Sequence, residues 1–392
     1  MYRSFLICVI VFLAGLSASG RDSLSIRKVS HEVTLAASAG YDLPSHGYYR
    51  GYNPAGRPIY ANSSLHLEYG LRLSPCTRLG GLYPDVVQGV GLSCLTFYSH
   101  ALMGTPAFAY VFQKGRIAEL TPCTGLDYKW SLGGSYGWKK TEMIGSIANI
   151  YVNVGLMFTW DVSECLSLHV GPEFSHFSNG DTMYPNGGAN LLNLRVGVTG
   201  HMSRSMEEPD RNVINEYESE LRSAGFSDRI SYDLVLCGGW RAGKVTSGTY
   251  ALINDPFPFV AMNFAPMYRF DRRFSLGASL DLLADRSVGI YDVVEDEAAC
   301  EVVSYKLPSL WRQTAAGLSL RGDITMSVFT IGAGIGAFLL AGTDSLNGLY
   351  TTFSLKAFVS RRLFLNVTYR LSSRNYTHNM MYGIGWRFGR PL

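Results

Sequence analysis

The sequence predicts an all-β protein, a transmembrane antiparallel β-barrel of about 14 strands (between 12 and 16) that follows a cleaved export signal. Three observations carry the prediction. Segments of 9 to 14 residues alternate apolar with polar or small from about His31 to the C-terminus, the period-2 signature of strands. The composition is poor in charge at 17%, against about a quarter in soluble domains, and rich in aromatics (13%) and glycine (42 residues). No stretch beyond the N-terminus is long and apolar enough for a membrane helix, because Val328 to Ala341 is interrupted by Gly332, Gly334 and Gly336.

Residues 1–20 have the layout of a signal peptide: Arg3, an apolar run from Phe5 to Leu16, then Ser17-Ala-Ser-Gly20. The run is too short to cross a bilayer as a helix. Cys8 lies inside it rather than after a small-residue cleavage site, which argues against a lipoprotein anchor. The remainder, residues 21–392, is expected to form the barrel.

Three segments show why the strands belong in a membrane. Leu363, Leu365, Val367, Tyr369 and Leu371 share one face, with Phe364, Asn366, Thr368 and Arg370 on the other. Ile150, Val152, Val154, Leu156, Phe158 and Trp160 alternate with Tyr151, Asn153, Gly155 and Thr159. Phe353, Leu355, Ala357 and Val359 alternate with Ser354 and Lys356. Sandwich strands are usually nearer five or six residues, whereas long strands with one apolar face and aromatic ends match a lipid-out, polar-in wall. The last segment, Tyr382, Ile384, Trp386 and Phe388, resembles the C-terminal assembly signal of bacterial outer-membrane proteins, with Gly389-Arg-Pro-Leu392 added. The expected location is therefore the bacterial outer membrane.

Two segments break the pattern. Residues 204–223 are polar, with Val213, Tyr217 and Leu221 at helical spacing and Gly225 as a stop, which predicts a short helical connector. The acidic run from Glu295 to Glu301 reads as a solvated loop. A net charge of +3 gives no basic surplus for nucleic acid. Beyond the signal, Cys76, Cys94, Cys123, Cys165, Cys237 and Cys300 show no metal-site spacing. Cys76 and Cys123 lie in Pro-Cys-Thr turns, so a disulfide between them and unpaired thiols are both open readings.

The candidate chemistry sits at 171–200. On a strand ending at Ser178, His176 and Ser178 project from the same face, within reach for an imidazole to take a serine proton. By parity they continue the apolar face of Leu166, Leu168, Val170 and Phe174, while Asn190 continues that of Leu192, Leu194, Val196 and Val198. A catalytic group on the lipid-facing wall suits a substrate that is itself a membrane lipid. Glu173 has the opposite parity; His169, His201 and His378 lack a partner pattern. A weak echo aligns Met267 to Arg286 with Met157 to Ser178, placing Ala284 and Arg286 where His176 and Ser178 stand; if the echo is real only the first copy carries chemistry, and chance resemblance between two barrel hairpins is the preferred reading.

Joined together, His176-Phe-Ser178-Asn179, Pro185-Asn186-x-Gly188 and a polar residue at 190 resemble the PagL-like lipid A deacylases (acyloxyacyl hydrolases) of the Gram-negative outer membrane. The similarity spans about thirty residues, and the family's barrel is smaller than this chain. The resemblance implies hydrolysis of an ester-linked acyl chain of lipopolysaccharide lipid A, with Ser178 as nucleophile and His176 as base. It also implies Asn190 where the family has glutamate, and Asn179, Gly180 and Asn186 around the oxyanion. Asp181 offers a substitute carboxylate. No metal or cofactor is expected, the partners are lipid A and outer-membrane lipids, and homodimerisation is left open. The alternatives are a porin-like or transport barrel and an inactive relative.

Overall fold

The computed structural model describes residues 29–202, 211–247, 249–296, 301–373 and 378–389. The signal-peptide segment lies outside the described residues, as does Cys300. The chain divides into two compact units near residue 213.

The first unit is a closed barrel of eight antiparallel strands in sequence order. Its strands are β1 (Val29–Asp42), β2 (Ala61–Leu73), β3 (Val87–Thr96), β4 (Gly104–Thr121), β5 (Thr124–Trp138), β6 (Ala148–Ser163), β7 (Leu166–Ser178) and β8 (Ala189–His201). Closure is made by β1 against β8, with Tyr41 opposite Leu192 and Glu32 opposite His201. The two-residue turns at 122–123 and 164–165, together with the longer 74–86 connection, lie at the end where β1 begins. The long connections 43–60, 97–103, 139–147 and 179–188 lie at the other end, which by barrel convention is the outer one.

The second unit is another closed eight-stranded barrel. It comprises β9 (Ile230–Ser247), β10 (Thr249–Arg269), β11 (Phe274–Asp285), then, after the hairpin β12 (Tyr291–Asp296) and β13 (Glu301–Lys306), β14 (Thr314–Met326), β15 (Phe329–Ala341), β16 (Gly348–Phe358), β17 (Leu363–Ser372) and β18 (Asn379–Phe388). It closes through β9 and β18. The expected single cylinder of about 14 strands is thus corrected to two cylinders. Period-2 patterning specifies which face meets lipid, but it is silent on which strand edge closes on which.

The ends of the acidic run are corrected from loop to strand, since Glu295 and Asp296 close β12 and Glu301 opens β13, while residues 297–300 lie outside the described residues; Val293, Val302 and Tyr305 of this hairpin pack on Ile253 and Phe257. The helical connector is the helix Arg211–Ser223. Its Tyr217 is buried, and the hydroxyl accepts a hydrogen bond from Arg269 Nη1 at 3.1 Å. No disulfide joins Cys76 and Cys123; both are thiols at the surface.

Alternation produces the expected inside and outside in both barrels. Along β6, Val152, Val154, Leu156, Phe158 and Trp160 are exposed while Tyr151, Asn153 and Thr159 are buried. The exposed apolar wall is stable only against hydrocarbon. An eight-stranded cylinder is just wide enough for its own side chains. In the first barrel Glu68 Oε1 accepts from Lys129, from Arg195 Nη2 at 2.8 Å and from the Tyr110 hydroxyl at 2.7 Å. In the second, Asp233 accepts a two-pronged bond from Arg387 (2.6 and 2.7 Å) and one from Lys356 (2.8 Å). Asp281 gathers Asn263, Ser279, Ser319, Arg321 and Tyr350. These pairs keep charges compensated where water is excluded. An interior cavity of about 240 Å³ remains in the first barrel at the end opposite the site, lined by residues including Glu32, Lys114, Asp127, His169 and His201.

Candidate active site

His176 and Asn190 face each other across the β7–β8 ladder as register partners. Both lie on the outward parity, half-exposed at the outer rim just above Phe174 and Leu192. Cross-strand partners have Cβ atoms about 5 Å apart, so a short amide and an imidazole span the gap. The His176 Nδ1 to Asn190 Oδ1 distance is 2.7 Å. With the carbonyl oxygen accepting, the proton sits on Nδ1 and leaves a lone pair on Nε2. Asn190 Nδ2 donates to Ser45 Oγ at 3.4 Å, and the Asn190 backbone carbonyl accepts from Leu43 N at 2.9 Å.

Ser178 ends β7 on the same face, opposite Ile150, two residues from His176, which stands opposite Val152. No hydrogen bond joins Ser178 to His176 among the described residues. Such contacts tighten when substrate is bound, so the same-face spacing is the relevant feature.

The connection 179–188 forms a folded cover. Asn179 N donates to Asn186 Oδ1 at 2.9 Å, Asn186 Nδ2 to Asp181 Oδ1 at 2.8 Å, and Asn179 Nδ2 to the Met183 carbonyl at 2.7 Å. Gly180, Asp181 and Gly188 have φ of +65°, +63° and +66°, which is why turn-forming residues occupy these positions. Gly188 has a second reason: an added Cβ would lie 3.0 Å from the Phe177 carbonyl oxygen and 3.1 Å from His176 Cε1. The 139–147 connection clamps the cover, with Gly145 N donating to the Pro185 carbonyl at 2.7 Å and Gly187 N to the Met143 carbonyl at 2.8 Å.

The structure brings together His176, Ser178 and Asn190, with Gly188 against them. It ties the side chains of Asn179 and Asn186 into the cover, and it engages Asp181 with Asn186 rather than with His176. Glu173 points into the lumen, 3.6 Å from Arg195. His201 is luminal, bonded to Ser167 at 2.7 Å. Sequence reasoning missed Ser45, Ile150 and Val152, which come from strands and loops distant in the chain. The unbroken alternation of β6 was the available signal for the last two.

Closed barrels with apolar outer walls define the class, a β-barrel membrane protein, and the first barrel carries a polar cluster on the outward face of its rim. Two family models identify it further. Lipid A 3-O-deacylase (PagL) matches residues 81–199, and the acyloxyacyl hydrolase C-terminal domain matches residues 230–390. Together they cover most of the chain, one on each barrel, and the chain belongs to the PagL-like lipid A deacylase family. It is accordingly a protein of the bacterial outer membrane, in a family of ester hydrolases acting on lipid A. No curated protein matches it. Among solved structures, Neisserial surface protein A is 14% identical, with 44% of this chain and 97% of that chain covered and a TM-score of 0.31. The KdgM porin is 10% identical, with 72% and 92% covered and a TM-score of 0.18.

Proposed function

We propose that this chain removes an ester-linked acyl chain from lipid A at the outer rim of its first barrel. The observation that carries the reading is the 2.7 Å contact between His176 Nδ1 and Asn190 Oδ1 on the outward face, which leaves Nε2 free to act as the base for Ser178, two residues along the same face. Ser178 Oγ bonds to the ester carbonyl carbon as its proton passes to His176 Nε2. The tetrahedral intermediate collapses, the C–O bond to the sugar breaks, and His176 returns the proton to the departing sugar oxygen. Water, deprotonated by the same nitrogen, then cleaves the acyl-Ser178 ester and releases the fatty acid.

Of the three residues around the developing oxyanion, Asn179 and Asn186 spend their amides on the fold of the cover. The Gly180 backbone N–H is the donor assigned to the oxyanion. Asn190 orients the imidazole without supplying charge. Acyl chains lie along Val152, Val154, Phe174 and Leu192, an apolar strip that continues into the bilayer. The porin alternative is disfavoured by interiors filled with ion pairs, since eight strands leave no aqueous channel.

The test is mass spectrometry of lipid A from cells expressing the intact protein or Ser178→Ala. Loss of one acyl mass with the intact protein and none with the variant is expected. Identical lipid A in cells with and without the intact protein would sink the reading.

A further inference from the structure

We infer that Arg50, assisted by Arg57, forms an anion-binding site that holds a phosphate group of the substrate headgroup beside the catalytic rim. This inference rests on the deacylase reading and adds to it the recognition of phosphorylated substrate.

The 43–60 connection contains two arginines and no carboxylate. The nearest carboxylate before it, Asp42, is fully buried and takes a hydrogen bond from Asn62 Nδ2 at 2.6 Å. The connection is joined to the site at its start: Leu43 N bonds the Asn190 carbonyl, Ser45 Oγ bonds the Asn190 amide, and the His46 ring lies 3.5 Å from the Cβ that Gly187 lacks. Arg50 folds back onto this start, its Nε donating to the Pro44 carbonyl at 3.2 Å, one residue from Ser45. That bond draws the guanidinium back onto the segment 43–45 that holds Asn190 and uses only Nε, and the residue as a whole is exposed.

The Arg57 backbone is brought beside Gly51, the residue that follows Arg50. Gly51, at φ +106°, turns the chain so that a Cβ there would sit 3.6 Å from the Arg57 carbonyl carbon. The platform beneath is rigid: Tyr48 and Tyr49 are buried in the aromatic core, Ile59 N bonds the Tyr49 carbonyl, and Asn53 Nδ2 bonds the carbonyls of Tyr48 and Arg57 at 2.8 Å. Neither arginine has an ion pair among the described residues; Glu142, the carboxylate facing Tyr48, is bonded to neither. Two uncompensated guanidiniums on a preorganised loop match a phosphate, which accepts two parallel N–H bonds. A headgroup held there would present its neighbouring ester to Ser178.

The experiment uses the full-length protein in detergent with two substrates, lipid A carrying its phosphates and the same lipid dephosphorylated. Wild type is expected to prefer the phosphorylated form, and Arg50→Gln to lower kcat/KM on it about tenfold more than on the dephosphorylated form, chiefly through KM. Arg50→Lys should recover part of the preference, and Arg50→Gln/Arg57→Gln should lose it. Inorganic phosphate tests for a free-anion site: competition that vanishes in Arg50→Gln supports the site, and inhibition that persists in Arg50→Gln overturns it. Binding of a soluble phosphorylated glucosamine disaccharide to the Ser178→Ala protein, by calorimetry, reads the site without turnover. If wild type hydrolyses neither lipid, the deacylase reading fails, while loss of that binding on adding Arg50→Gln still supports the anion site. Equal preference for both lipids in wild type, or disaccharide binding that is the same with and without Arg50→Gln, overturns it.

Discussion

The two barrels are built alike and finished differently. Each closes eight strands, fills its lumen with compensated charge and turns apolar side chains outward. Each ends in a hairpin whose second-register pair sits at the outer rim, His176 opposite Asn190 in the first and Tyr369 opposite Met380 in the second. Two residues beyond His176 stands Ser178; two beyond Tyr369 stands Leu371. At topologically equivalent positions the first barrel therefore carries an imidazole, an amide and a hydroxyl, and the second carries a phenol, a thioether and an alkyl group. The fold supplies an outward rim in both, and side-chain identity alone decides which rim can offer the base and nucleophile proposed for His176 and Ser178. The outer connections diverge too: residues 43–60 hold Arg50 and Arg57 without a carboxylate, while the hairpin β12–β13 carries Asp292, Glu295, Asp296 and Glu301.

The largest effect follows from that contrast. Ser178→Ala and His176→Ala should each lower deacylation about 10³-fold or more, as removal of a nucleophile or its base does elsewhere. Leu371→Ala and Tyr369→Ala, the matching changes in the second barrel, should leave it within about twofold. A comparable loss from either second-barrel change, measured by fatty-acid release, would mean that the second rim participates.

The interiors give the next prediction, on stability rather than turnover. Glu68→Ala strands Lys129 and Arg195 inside the first barrel, and Asp233→Ala strands Arg387 inside the second. Removing one partner of a buried pair costs about 3 kcal/mol or more. Calorimetry in detergent should show each substitution lowering one unfolding transition, with Asp233→Ala retaining the deacylation that Glu68→Ala reduces. A single transition shifted alike by both would show that the barrels unfold as one unit.

How much of this was legible in the sequence follows from what each signal encodes. Alternation in β6, β7 and β17 reports which side chains meet lipid, so the outward placement of His176, Ser178 and Asn190 was readable from parity. Closure was not, because the pairing of β1 with β8 joins edges about 160 residues apart and leaves no local trace. Ser45 was hidden for the same reason, lying far before Asn190 in the chain. The echo between Met157 to Ser178 and Met267 to Arg286 fits the chance-resemblance reading: it aligns β6–β7, the sixth and seventh strands of one barrel, with β10–β11, the second and third of the other. The hairpin β12–β13 was obscured by its charge, which overrode the weak apolar pattern of Val293 and Val302.

A smaller change separates the two covers. Gly188→Ala should lower kcat roughly tenfold to a hundredfold, because its φ of +66° disfavours a side chain and the added methyl would press on the Phe177 carbonyl and His176. Gly289, at φ +68° in the second barrel, shares the backbone strain but touches Thr343 and Pro308. Gly289→Ala should destabilise without slowing deacylation. Equal activities for the two variants would show that the cover over His176 yields without consequence.

The smallest effect tests Asn190, the position at which the family resemblance implies a glutamate. Asn190 accepts from His176 Nδ1 through a neutral carbonyl, and Ser45 Oγ receives its amide. Asn190→Glu places a carboxylate opposite the imidazole, where it both enforces the Nδ1–H tautomer and stabilises the imidazolium that forms as Ser178 attacks. Glutamate is one methylene longer, and Asn190 is only half-buried at the rim. The expected result is a gain in kcat of about tenfold, with KM little changed because the added charge acts on the transition state rather than on the bound lipid. A gain from undetectable to measurable turnover would instead mark the natural chain as a relative silenced at this position. No gain at all would show that the amide already holds His176 as well as a carboxylate does, and that orientation outweighs charge at this rim.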